Sequence, residues 1–398
     1  MTYLKFVLIF ILPLLAICLI IWHFYLAPKL TMFDEDKRVK NFRNMNQLFP
    51  SKPIVASPQP YHFQENLRPI NVSYSFQGET RQMSELLERL MTTGFLIIKN
   101  EVIVFERYFL GNSKSSKSTS WSVAKAFISA LVGVAIAEGY IDSVNDPITK
   151  YVPELAKSAY NEVPIKHVLQ MSSGVNFSED YGDKKADINV LLEQLYLSFL
   201  PIEKVILNFP SQKRSGEALE YVSINTQILS LLLKRVTKRD IVSYLQEKIW
   251  QPMGAEEDAY WLTDLYGNEV TFCGLNATLR DYAKFGLLYL YGGNFNGKQI
   301  IPENWVKESI KPDRPYLQPG ATGEKNWEWG YQYHWWIPVG SQGDFCASGA
   351  WGQYIYIKPE KNLVIVKSGA GNSVSRTEDD DETIALFRAI AEQLTINN

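Results

Sequence analysis

Histidine and cysteine are both scarce in this chain, with four and three copies among 398 residues. His23, His62, His167 and His334 fall far apart, and no histidine, cysteine and carboxylate cluster has metal-ligand spacing. Neither a metal centre nor any other cofactor is therefore expected. No Gly-x-Ser-x-Gly elbow occurs either, which argues against a serine–histidine–aspartate hydrolase. Cys18 lies in an apolar stretch, leaving Cys273 and Cys346; one disulfide in an oxidising compartment and two buried thiols both remain open. There is no surplus of positive charge: 40 Lys and Arg stand against 43 Asp and Glu, for a net charge of −3. The basic residues are scattered among acidic ones, so no nucleic-acid footprint exists. Internal repeats and low-complexity tracts are absent as well. A chain of this length holds one large domain or two smaller ones.

Charge is missing in one place where its absence is informative. Residues 6–27 contain no charged side chain apart from His23, if that is protonated. A helix of that length, rising about 1.5 Å per residue, spans the roughly 30 Å core of a bilayer. The stretch ends Phe24-Tyr25-Leu26-Ala27 without a small-x-small site, and Ala16-Ile17-Cys18 is a poor lipoprotein site. An uncleaved anchor is expected over a signal peptide. Lys5 favours a cytoplasmic amino terminus, whereas Lys29, Lys37, Arg38, Lys40 and Arg43 follow the span, diluted by Asp34, Glu35 and Asp36. The expectation is a single-pass protein of a bacterial inner membrane, partnered with the lipid bilayer, its remaining domain in the periplasm.

What is present is led by Ser122-Val123-Ala124-Lys125, the only Ser-x-x-Lys in the chain. Residues three apart on a helix share a face and can touch. A hydroxyl becomes a nucleophile when a nearby base takes its proton, and a lysine withdrawn from water can be that base. Val102-Ile103-Val104-Phe105 reads as a strand before the motif, and residues 126–136 read as a helix apolar on every face, hence buried. Gly139 supplies its stop. A serine at the head of such a helix lies near unpaired backbone N–H groups, which suit an oxyanion.

Along the rest of the chain, residues 29–60 carry Pro50, Pro53, Pro58 and Pro60 in polar surroundings and read as a linker. Residues 94–105 read as a hairpin turning at Asn100-Glu101. Helices are predicted over 165–171, 187–197, 225–235, 241–250 and 278–291, the last with the capping spacing of Thr278-Leu279-Arg280-Asp281. A second hairpin joins residues 354–357 to 363–366, and an amphipathic helix closes the chain over 381–394. The aromatic run Tyr331-Gln332-Tyr333-His334-Trp335-Trp336 reads as a packed strand. The fold class expected is α+β: an antiparallel sheet built from both ends of the chain, flanked by helices, with a mostly helical subdomain inserted. The boundaries are 1–28 for the anchor, 29–60 for the linker and 61–398 for the domain. Within the domain, 61–139 and 325–398 form the α/β part and 140–324 the helical part.

A Ser-x-x-Lys nucleophile needs a partner to carry a proton to the leaving group, and Tyr221 is the candidate. With it in place, the chain resembles the serine hydrolases that share the fold of class C β-lactamases and penicillin-binding proteins. It is most similar to their 6-aminohexanoate-dimer hydrolase and esterase branch. The resemblance rests on Trp121-Ser122-Val123-Ala124-Lys125, Val168-Leu169-Gln170-Met171-Ser172-Ser173-Gly174-Val175 and Tyr221-Val222-Ser223-Ile224-Asn225-Thr226. It continues through Ala277-Thr278-Leu279-Arg280-Asp281-Tyr282, Ile301-Pro302-Glu303-Asn304-Trp305-Val306 and Ser348-Gly349-Ala350-Trp351-Gly352-Gln353-Tyr354. It implies that Ser122 is the nucleophile, Lys125 its base and Tyr221 the proton relay. The N–H groups of Ser122 and Ala350 would form the oxyanion hole, with Ser223, Ser348 and Gly349 binding substrate. Two departures stand out. Ala347 occupies the place of a lysine that helps β-lactamases hold the drug's carboxylate, which disfavours antibiotic hydrolysis. Ser223 stands where most of the family has asparagine, with Asn225 two residues on. The function these residues imply is acyl-enzyme hydrolysis of a small-molecule ester or linear amide. Weak β-lactamase or D-amino-acid peptidase activity is the alternative enzyme, and a penicillin-recognising sensor that does not turn over is the alternative of another class.

Overall fold

The computed structural model describes residues 10–197, 200–321, 328–340, 342–374 and 377–396. Its centre is an eight-stranded sheet. In chain order the strands are Gln64–Glu65 (β1), Thr92–Lys99 (β2), Val102–Tyr108 (β3), Gly330–Gln332 (β4), Trp335–Ile337 (β5), Phe345–Gly349 (β6), Gln353–Lys358 (β7) and Leu363–Gly369 (β8). They lie in the spatial order β4-β5-β6-β7-β8-β2-β3-β1. All pairs are antiparallel except β1 with β3. The two ends of the chain meet at its middle, where Val364 pairs with Ile98 and Val366 with Leu96.

Both faces of these central strands are covered, which is why they read as unbroken apolar runs rather than alternating ones. Leu96, Ile98, Val364 and Val366 join the larger core, whereas Phe95, Ile97, Leu363 and Ile365 join a second core on the opposite face. The second is closed by the helix Glu378–Ile396, whose Phe387 ring lies 6.0 Å from that of Phe95. The expected hairpin at Asn100-Glu101 is present: both residues take left-handed φ, +51° and +64°, as a two-residue turn between right-twisted strands requires.

Between β3 and β4 the chain runs through the helices Ala124–Ala137, Ser223–Thr237 and Leu279–Leu290. Thr278 caps the last of these, accepting a hydrogen bond from the Asp281 N–H. That helix packs directly on the central sheet: a side chain at Gly286 would come within 2.8 Å of Val364 and 2.9 Å of Ile355. It belongs with the sheet layer, not with a separate helical part spanning 140–324.

The larger correction concerns residues 29–60. They form no linker. Helices occupy Glu35–Phe42 and Met45–Leu48, and the strand Ser51–Ile54 pairs antiparallel with Ala259–Leu262 in a second, four-stranded sheet. Phe42, Met45, Phe49 and Ile54 are buried in the larger core. The aromatic run also folds otherwise than expected. It is not one strand but the hairpin β4–β5, turned at Tyr333 and His334 with φ of +40° and +69°.

Among the described residues one helix, Leu12–Leu30, is long and apolar enough to cross a membrane; a signal sequence near an N-terminus has the same character. Residues 6–9 of the expected span, and the boundary placed at 324–325, lie outside the described residues. Cys273 and Cys346 are buried thiols that form no disulfide with each other.

Candidate active site

Ser122 sits in the single turn Trp121–Val123 that leads into the helix Ala124–Ala137. The preceding strand, Ser118–Thr119, is pinned by pairing with Leu275–Ala277, and the Ser120 N–H donates to the Leu275 carbonyl at 2.8 Å. Trp121 then takes a left-handed φ of +44°. For a bulky side chain this stores on the order of 1–3 kcal/mol, and the surrounding packing must hold it. The rings of Phe42 and Phe33, 5.1 Å and 5.8 Å away, supply that packing.

One turn on, Lys125 is 1 % exposed, and its ammonium reaches the Ser122 hydroxyl at 2.8 Å and the Phe272 carbonyl at 2.9 Å. The Tyr221 ring lies over the same ammonium, 4.9 Å from its centroid, stacked on Trp336 at 5.6 Å. The Lys125 ammonium thus touches both the Ser122 hydroxyl and the face of the Tyr221 ring.

The end of β6 closes the other side. A Cβ at Gly349 would lie 2.6 Å from the Ser120 carbonyl oxygen, 3.0 Å from the Ser122 nitrogen and 3.2 Å from the Val123 nitrogen. Only glycine allows the strand to approach the Ser122 N–H this closely. The turn that follows is held by Gln353, whose side-chain amide donates to the carbonyls of Ala350 at 3.3 Å and Gly369 at 2.7 Å. Ser122, Tyr221, Ser348, Gly349 and Ala350 all line one cavity of about 410 Å³.

Ser223 does not line it. The residue is fully buried, and both its N–H, at 2.9 Å, and its hydroxyl donate to the Glu179 carboxylate. Its contact with substrate is replaced by a positioning one, because the hydroxyl is already committed. Glu179, which accepts a third bond from Tyr181 at 2.8 Å, does line the cavity, as does Tyr181. Asn225 faces away as well, accepting from Tyr160 at 2.7 Å and Ser173 at 2.9 Å. The amide that the resemblance led one to expect near the substrate is therefore absent from this wall. Sequence reasoning missed Glu179. Its nearest signal was the Glu179-Asp180-Tyr181 triplet after the Ser173-Gly174 turn.

The remaining titratable groups near the site are not nucleophiles. Burial pushes the Cys273 thiol up to about 12, despite the neighbouring Lys125 charge. Burial, reinforced by Lys125, holds His334 well below the ordinary imidazole range, and its Nδ1 pairs with the Tyr331 hydroxyl at 3.0 Å. No three histidine, cysteine or acidic side chains group as a metal site among the described residues.

Lys367 is the unusual cation of this region. It lies behind the cavity wall and donates to the Gly352 carbonyl at 3.1 Å. Burial lowers it to about 8, partly opposed by Asp380 and Asp379. With a folded pKa below the unfolded value, the native state holds fewer protons between about pH 8 and 10.5, so stability rises with pH across that window. Lys367→Met should therefore stabilise the protein at pH 7 by roughly 1–3 kcal/mol. That advantage should shrink as pH climbs from 8 towards 10.5. Thermal unfolding of both proteins in detergent at pH 7 and pH 10 checks it; an advantage independent of pH would refute the assignment.

Comparison with known proteins bears on this geometry. The curated 6-aminohexanoate-dimer hydrolase of Paenarthrobacter ureafaciens is 27% identical over 292 residues, covering 72% of this chain and 74% of that protein. A Bacillus anthracis structure, provisionally named as another such hydrolase, superposes with a TM-score of 0.83 at 26% identity, over 92% of this chain and 96% of that one. An octameric penicillin-binding protein homologue from Pyrococcus abyssi shares the fold at a TM-score of 0.58 and 19% identity, covering 76% of each chain. The Beta-lactamase family model itself matches residues 83–389, from ahead of Ser122 to the last helix, so the chain belongs to that family and is a serine hydrolase.

Proposed function

We propose that the protein hydrolyses an ester or linear amide through an acyl-enzyme on Ser122. The Ser122 oxygen attacks the substrate carbonyl while its proton passes to Lys125. The resulting oxyanion is met by the N–H groups of Ser122 and Ala350. Collapse breaks the carbonyl–oxygen or carbonyl–nitrogen bond, with Tyr221 delivering a proton to the departing alcohol or amine. Water then attacks the acyl-enzyme by the reverse proton route and regenerates the serine. Ser348 and Gly349 form the strand edge beside which the substrate lies, and Ser223 acts by holding Glu179.

The 2.8 Å approach of Lys125 Nζ to Ser122 Oγ, inside a cavity that Tyr221 also lines, carries this reading. Ala347 supplies no charge for a drug carboxylate, which places β-lactams behind esters and linear amides as substrates. We further read the chain as a single-pass inner-membrane protein, anchored to about residue 28, with the enzyme in the periplasm. A fluorophosphonate probe tests the chemistry. It should label the purified protein and not Ser122→Ala. Equal labelling of both removes the hydrolase reading, and labelling without turnover of p-nitrophenyl esters or short amides supports the non-turnover sensor instead.

A further inference from the structure

We propose that the substrate is an amphiphile, an ester or amide bearing an apolar chain, taken from the surface of the bilayer. This rests on the serine-hydrolase reading of Ser122 and on an uncleaved N-terminal span, and it assigns the substrate class of that same site.

The segment after the apolar helix packs against residues of the active-site wall. Phe33 stacks on Trp351 at 5.5 Å with 19° between the rings, and Phe42 meets Trp351 edge-on at 5.7 Å. The Arg38 guanidinium lies 4.5 Å over Trp351 and donates to the Ala370 carbonyl at 2.9 Å and to Asn372 Oδ1 at 2.6 Å. Trp351 and Asn372 both line the cavity. The apolar helix ends at Leu30, three residues before Phe33. Three residues reach at most about 10 Å, and the headgroup layer on one side of a bilayer is roughly 5–8 Å deep. The cavity wall is thereby placed at the level of the headgroups.

The helix end is also fastened to the domain instead of tethering it. Lys29 is buried, its ammonium 3.3 Å from the Tyr25 ring centroid on the helix and 5.6 Å from that of Phe49, a residue of the core. Around this junction apolar side chains remain uncovered: Leu30 is 54% exposed and Phe33 37%. Leu110, 52% exposed, is tied to the same segment, since Arg43 donates to its carbonyl at 2.8 Å. Apolar groups that flank a spanning helix gain by entering the interface. Inside, the cavity offers Leu90, Trp329, Trp336 and Trp351 to an apolar chain. An enzyme for water-borne substrates gains nothing from a pocket pinned at this depth.

The test reconstitutes the full chain in phosphatidylcholine vesicles and compares p-nitrophenyl acetate, which stays in water, with p-nitrophenyl laurate, which partitions into the bilayer. Ser122→Ala serves as the blank. The expected result is a kcat/KM on the order of tenfold or more higher for laurate. A second protein carries a Gly/Ser spacer of about 20 residues, with a root-mean-square length of roughly 25 Å, between Leu30 and Thr31. It keeps the Phe33, Arg38 and Phe42 contacts but frees the domain from the bilayer. It should cleave acetate like the wild type and lose the laurate preference. Equal turnover of both esters by the wild type, a laurate preference unchanged by the spacer, or recovery of a shortened protein in the aqueous phase would each overturn the proposal. Failure to cleave either ester is a different result: it removes the hydrolase reading itself and this inference with it.

Discussion

Replacing Lys125 by methionine will lower kcat for ester hydrolysis by roughly 10³-fold while leaving the fold intact. Methionine retains the unbranched apolar stem in a slot where the lysine is 1% exposed, so little packing is lost. What disappears is the ammonium that donates to Ser122 Oγ at 2.8 Å and to the Phe272 carbonyl at 2.9 Å. Because the loss falls on proton transfer, kcat should drop much further than KM changes. Lys125→Arg should not restore the rate, since a guanidinium stays protonated and cannot accept the serine proton. Steady-state kinetics and the rate of fluorophosphonate labelling, with circular dichroism to verify the fold, measure this. A kcat within about tenfold of the wild type would place the base elsewhere.

Gly349→Ala has the second largest expected effect, about 10²–10³-fold in kcat. The added Cβ would lie 2.6 Å from the Ser120 oxygen and 3.0 Å from the Ser122 nitrogen, and both are backbone atoms that cannot swing aside. The end of β6 must withdraw, which would draw apart the Ser122 and Ala350 N–H groups proposed as oxyanion donors. The overpacking should also destabilise the protein by roughly 1–3 kcal/mol. Wild-type kcat in the alanine variant would mean that the strand's close approach is structural and the oxyanion donors lie elsewhere.

How much of this was legible in the sequence depended on whether the determining interactions were local. The contact of Ser122 with Lys125 follows from helical spacing alone, and the turn at Asn100-Glu101 from the flanking strand patterns. Tyr221 could be named only through the resemblance to a family, because it shares the cavity with Ser122 across about 100 residues of chain. Glu179 was hidden for a related reason: its place depends on the N-terminus of the helix Ser223–Thr237, which no local pattern connects to it. Residues 29–60 misled because prolines and charges resemble a spacer. Yet Pro53 sits on an edge strand opposite Tyr260, where a missing N–H is tolerated. Phe42, Met45 and Phe49 do carry a helical apolar spacing, a signal outweighed by the polar composition around them. The aromatic run around His334 failed in the opposite way, since nothing in an apolar hexapeptide announces two left-handed residues in its middle.

The pairing of Ile97 with Ile365 joins residues roughly 270 positions apart at the middle of the sheet. During synthesis, Ser122 and Lys125 leave the ribosome long before β6, β7 and β8 exist. Until those last strands dock, the helix that bears the serine has no strand edge beside it and no wall to exclude water. A chain cut short before Leu363 lacks the strand that pairs with Thr92–Lys99 at the middle of the sheet. Topology alone thus delays assembly of the proposed Ser122 site until the protein is almost complete.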